Sequence, residues 1–171
     1  MTKNLQGNII RFVFFILLQV LVLNNIHLGG YLNPYPYILF LLILPPKTNP
    51  IFLLIIAFFL GISIDIFSNT GGIHAAGCVL IAYLRPKFIR IVTSKPLDEI
   101  DKINLYTFGV GNFLMYAGMA VFIHHFVIFS LDLFRLSESL STVGKSLSSA
   151  AFSMTLITLH QLITAKRRNE L

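Results

Sequence analysis

The chain has 171 residues, of which 56% are hydrophobic and 12% charged, with a mean hydropathy of +0.79. An ordinary soluble domain carries about 25% charged residues, so this composition excludes one and points to an integral membrane protein, a single helical domain over residues 1–171. The formal net charge of +6 does not imply nucleic acid, because the basic residues flank apolar runs without interleaved aromatic or glycine-rich binding patterns. They read as orientation signals.

The first run, Ile10 to Leu28, is close to the ~20 residues needed to cross ~30 Å of hydrocarbon as a helix. It follows Lys3 and Arg11 but lacks a small-x-small cleavage site, so it is expected to stay attached. Tyr31 to Leu44 is framed by Pro34, Pro36, Pro45 and Pro46. It is short for a span, and a tilted crossing and a re-entrant piece both stand. Ile51 to Phe67 follows Pro50, a residue suited to a first helical turn. Ile73 to Leu84 spans only if it continues towards Ile91, with Arg85, Lys87 and Arg90 reaching to the interface. The polar loop Thr93 to Asn104 divides the chain.

Leu105 to Phe129 is long enough to span with tilt, and its Asn112 reads as an interhelical hydrogen-bond partner. Ser130 to Ser141 reads as an amphipathic surface stretch. The last run, Val143 to Ile163, is rich in serine, threonine and alanine, which suits close packing at the centre or against a partner. About six transmembrane helices are therefore expected, the second and fourth being short or re-entrant in the alternative.

With six crossings and the N-terminus inside, eleven of the thirteen basic residues are cytoplasmic and only Arg135 and Lys145 lie outside. If the second and fourth runs are both re-entrant, four crossings remain and only Lys47 changes side. Six is preferred, because irregular backbone at membrane depth needs protein or water to cover it.

The stretch Gly61 to Ala76, GISIDIFSNTGGIHAA, is the part that apolar surroundings do not explain. Asp65 is an ionisable group within a hydrophobic run, which insertion scales make costly, although a position near the outer boundary lowers that cost. On a helix Gly61 and Asp65 share a face, with Asn69 one turn on. Asp65 reads equally as a docking carboxylate opposite His74 and as a cap on the following helix through the Asn69–Gly72 break.

His27, His74, His124 and His125 fall towards the outer face and read as interfacial; their spacing matches no metal motif. Tyr31, Tyr35 and Tyr37 read as boundary aromatics. The single cysteine, Cys78, reads as a small packing residue, and no catalytic, phosphate-binding or redox motif occurs.

Gly61, Asp65, Gly72, His74 and Ala75, followed by Tyr83, resemble the G-x-x-x-D, G-x-H-A and downstream tyrosine pattern of the rod shape-determining protein MreD family. The length, the Pro-flanked second run and the basic C-terminus are similar too. The resemblance implies a non-enzymatic component of the bacterial inner membrane, without cofactor, with both termini cytoplasmic. It implies binding to MreC and, through the complex, to MreB, RodA and a penicillin-binding transpeptidase. It also implies a fold resembling the substrate-binding subunits of energy-coupling-factor transporters. Gly61, Asp65, Asn69, Gly72, His74 and Tyr83 are the expected partner-binding or pocket residues. The rival from another class is a small-molecule-binding subunit of a vitamin transporter, with the same turn lining a pocket.

Overall fold

Three helical stretches are long and apolar enough to cross a membrane: Gln6–Asn25, Pro50–Ser68 and Val110–Asp132, with mean hydropathies of 1.9, 2.5 and 1.8. The computed structural model describes residues 2–26, 32–93, 95–133 and 139–169, and among these it contains helices and no strand. In chain order they are α1 (Thr2–Leu17), α2 (Leu39–Leu42), α3 (Pro50–Ser68), α4 (Ile73–Val92), α5 (Val110–Leu133) and α6 (Ser139–Asn169). From α3 onward each helix packs chiefly on the next, and α1 lies against α3 and the segment containing α2.

Helix α1 continues through a π-helical turn, Leu18–Val22, and a 3-10 turn, Leu23–Asn25. Helix α3 starts where the sequence predicts. Asn49 Oδ1 accepts from the N–H groups of Ile51 (2.9 Å) and Phe52 (3.2 Å), and Pro50 fills the first position, where no N–H is needed. It is apolar all round, as suits a helix between a core and lipid. Leu53, Ala57, Leu60 and Ile64 are buried, whereas Ile51, Phe59, Ile66 and Phe67 are exposed.

The second run is neither a regular helix nor a piece that turns back. Its backbone is non-helical over residues 33–35, then forms a 3-10 turn, Pro36–Ile38, and the single turn of α2. The Tyr37 hydroxyl meets His74 in the first turn of α4, while the Leu44 and Pro45 carbonyls meet Arg85. Arg85 lies eleven positions after His74, about 16 Å along a helix rising ~1.5 Å per residue. The run therefore passes along α4, and its side chains from Tyr37 to Leu42 are at most 2% exposed.

Such backbone survives only if its polar groups are paired. At its start the Asn33 and Tyr35 N–H groups donate to the hydroxyls of Ser149 (3.1 Å) and Ser153 (2.9 Å) on α6. At its end Arg85 donates through Nη2 to the Leu44 carbonyl and through Nη1 to that of Pro45 (3.4 Å). Arg85 Nε also donates to the Tyr116 hydroxyl (3.2 Å), which in turn donates to the Leu42 carbonyl (3.1 Å). Arg85 and Tyr116 thus pair carbonyls at and just beyond the end of α2. Arg85 is 1% exposed, so the expectation that it reaches the interface is corrected.

The fourth run takes its longer form, a continuous 20-residue helix. The fifth begins at Val110 rather than Leu105, because Gly109 (φ 87°) interrupts the backbone and Asn104 caps a turn at Tyr106 and Thr107. Asn112 is exposed and donates to Phe108 O within its own chain segment, so it is not an interhelical partner. The described flanks of the Ser130–Ser141 stretch belong to the ends of α5 and α6, and residues 134–138 lie outside the described residues. On α6 one line of serines faces inward: Ser146, Ser149 and Ser153 are fully buried, whereas Ser148, Ala151 and Thr155 are exposed.

Candidate functional site

Helices α3 and α4 touch most closely at Gly61. A Cβ there would sit 2.5 Å from Ala75 N and 2.6 Å from the His74 carbonyl oxygen, so glycine alone fits without displacing backbone. One turn later on the same face stands Asp65, 3% exposed. Its Oδ1 accepts from the Thr70 hydroxyl (2.5 Å) and from His74 N–H (3.0 Å), and its Oδ2 accepts from Ala75 N–H (2.8 Å).

These N–H groups belong to the first turn of α4, where a helix has no partners of its own and carries partial positive charge. The carboxylate of one helix therefore caps the next. Of the two readings of Asp65 the geometry is that of the cap; its oxygens are turned to backbone donors, not to the His74 ring. Asp65 is buried within the protein, and three donors offset its desolvation.

The turn is built to allow this. Asn69 ends α3 in the left-handed region (φ 55°), and its N–H reaches back to Asp65 O. Gly72 (φ 100°) then directs the chain into α4, in a conformation disfavoured for residues with a Cβ. Asn69 itself is exposed.

Beneath the turn lies a buried cluster that the sequence did not suggest. The Tyr37 hydroxyl stands between His74 Nδ1 (2.7 Å) and His124 Nε2 (3.1 Å), with Cys78 Sγ 3.9 Å from the latter nitrogen. Tyr35 stacks on His125 with ring centroids 5.0 Å apart and meets His74 edge-on at 4.9 Å. His125 bonds through Nδ1 to Val121 O (2.8 Å) and through Nε2 to the Ser153 hydroxyl (3.1 Å).

A phenol has one proton, so Tyr37 donates to one imidazole and accepts from the other. His124 Nδ1 is buried without a partner, and an orphaned donor is rarer than an orphaned acceptor. We therefore assign the proton of His124 to Nε2, donating to Tyr37, which donates to His74 Nδ1 and leaves the His74 proton on Nε2.

Between this cluster, the turn and the end of the first helical stretch is a cavity of ≈ 370 Å³, with Gln19, Asn24, Asn33, Ser68, Thr70 and His74 among its lining. No family model, curated protein or solved structure matches this chain. Its chemistry is therefore read from the residues alone. Among the described residues no group of three or more histidine, cysteine, aspartate or glutamate side chains is disposed to hold a metal ion.

Of the six expected site residues, Gly61, Asp65, Asn69, Gly72 and His74 are brought into one turn. Tyr83 is not: it is 61% exposed on the flank of α4, with Lys87 Nζ 5.4 Å from its ring centroid. The histidines are not interfacial, since His124 and His125 are fully buried and His74 is 3% exposed; His27 lies outside the described residues. Tyr37 is likewise core, not a boundary aromatic, and Tyr31 lies outside the described residues. Cys78 is buried, as expected of a packing residue. The reading did not single out Gln19, and it gave Tyr37, His124 and Arg85 boundary roles instead of places in the buried network.

Proposed function

We propose that the chain is a non-enzymatic membrane scaffold of the MreD type. In this reading it has six crossings of the bacterial inner membrane, with both termini cytoplasmic. It binds MreC and, through the complex, serves MreB, RodA and a penicillin-binding transpeptidase in cell elongation. The observation that carries the reading is the convergence of the resemblance's central residues: Gly61 touches His74 and Ala75, and Asp65 bonds both. Five positions spread over fifteen residues act as one latch. A latch between helices suits a protein that presents a rigid surface to a partner.

That surface is the exposed end of α3 and its turn, where Ile66 is 71% exposed, Phe67 is 66% exposed and Asn69 is exposed too. A transmembrane segment of MreC laid against α3 covers Ile66 and Phe67 and reaches the turn. Photocrosslinkers placed singly at Ile66, Phe67 and Asn69 in native membranes should capture MreC. Capture of MreC only from α1 or α6 removes the turn from the contact.

A further inference from the structure

The cavity has features that a partner docking on α3 does not use. Gln19 is 1% exposed, within the π-helical turn Leu18–Val22, a local widening that recurs at functional sites. Its Nε2 donates to Asn24 Oδ1 (2.8 Å) and to Pro34 O (3.1 Å), while its Oε1 has no partner. The amide cannot be reversed to remedy this, because the Pro34 carbonyl only accepts. Gln19, its Oε1 buried and unpaired, is among the residues of a cavity whose lining also includes Asn24, Asn33, Ser68, Thr70 and His74.

The Nε2 of His74 is bonded by none of the described residues, its Nδ1 being committed to Tyr37. The tautomer assigned above makes that Nε2 a donor. Among the described residues no lysine, arginine, aspartate or glutamate lines the cavity. The nearby Asp65 carboxylate is saturated by Thr70, His74 and Ala75. The volume, ≈ 370 Å³, lies at the lower end of the ~300–1,000 Å³ of small-molecule sites.

We infer that this cavity binds a small, uncharged, ring-containing molecule rich in hydroxyl or amide groups. It is held between the Gln19 amide and the His74 imidazole, and Tyr35 and Phe67 supply the apolar walls. An occupant that draws Gln19 towards it supplies the missing donor. An ion is disfavoured, because nothing in the lining neutralises it. The inference does not rest on MreC, and its test is made without any partner.

The test uses the full chain purified in detergent and three matched probe pairs: nicotinamide with nicotinate, thymidine with thymidine 5′-monophosphate, and N-acetylglucosamine with glucosamine. Binding is followed by saturation-transfer NMR and native mass spectrometry. At least one neutral member should bind, with its charged counterpart weaker by tenfold or more. Gln19→Leu, which removes the amide at similar size, should lose tenfold or more of that binding without losing the fold. Ser68→Trp, which fills the cavity from the last turn of α3, should abolish it. Three outcomes overturn the inference: binding of no neutral probe, which leaves a cavity holding water only; equal binding of a charged counterpart; or binding unchanged in both variants.

Discussion

Asp65→Ala tests the latch directly. The substitution removes the acceptor for three donors, at 2.5, 3.0 and 2.8 Å. The Thr70 hydroxyl is half-buried and can turn to water, but the N–H groups of His74 and Ala75 lie on buried residues. Each buried donor left unpaired costs about 1–3 kcal/mol, and loss of a charge from a helix N-terminus adds about 0.3–1 kcal/mol. The sum is about 4 kcal/mol. For a chain of this size a kcal/mol moves the midpoint by about 2–4 °C, so thermal unfolding followed by circular dichroism in detergent should show a loss of roughly 10 °C. Asp65→Asn keeps one acceptor oxygen and should lose about half as much. Unfolding of both variants at the wild-type temperature would refute the latch. A loss equal in Asn and Ala would show that the acceptor oxygen Asn keeps contributes nothing.

Gly61→Ala should separate α3 from α4, since the added Cβ meets backbone atoms of His74 and Ala75 that cannot rotate away; about 1–3 kcal/mol of overpacking is expected, read in the same assay. Arg85→Met leaves the buried Leu44 carbonyl without its donor, while Pro45 keeps both bonds from Thr48, and should cost about 1–3 kcal/mol; unchanged stability refutes the capping role. A cysteine at the exposed Asn69, in a Cys78→Ala background, should react with an impermeant thiol reagent applied from outside. Labelling only from the cytoplasm sinks the six-crossing topology.

How much of this was legible in the sequence follows from the range of each interaction. The α3 helix was readable almost to the residue, because Pro50 starts it and Ser68–Asn69 end it, and both are local. The capping role of Asp65 was readable as one of two alternatives, since it depends on a turn only nine residues long. The second run was not, because extended backbone followed by a single helical turn has no period for hydrophobicity to follow. Arg85 was misread for a related reason. A cation near the end of an apolar run ordinarily reaches to water, and distant acceptors, the carbonyls of Leu44 and Pro45 some forty residues earlier and the Tyr116 hydroxyl, turn it inward. The cluster of Tyr37, His74, His124 and His125 joins three separate elements, and no spacing rule connects them.

The second run also constrains how the protein is made. Its backbone donors at Asn33 and Tyr35 are matched by serines 116 and 118 positions later, and its terminal carbonyls by an arginine about forty positions later. A nascent chain released only as far as α3 has none of these groups, whereas α1 and α3 satisfy their own backbones and can enter lipid unaided. The order of insertion is therefore expected to depart from the order of synthesis. The run should wait outside the hydrocarbon until α4 has emerged, and be secured only when α6 closes on Asn33 and Tyr35. Truncation before Ser139 should accordingly leave a cysteine placed at Tyr35 open to water-soluble reagents, while the full chain protects it.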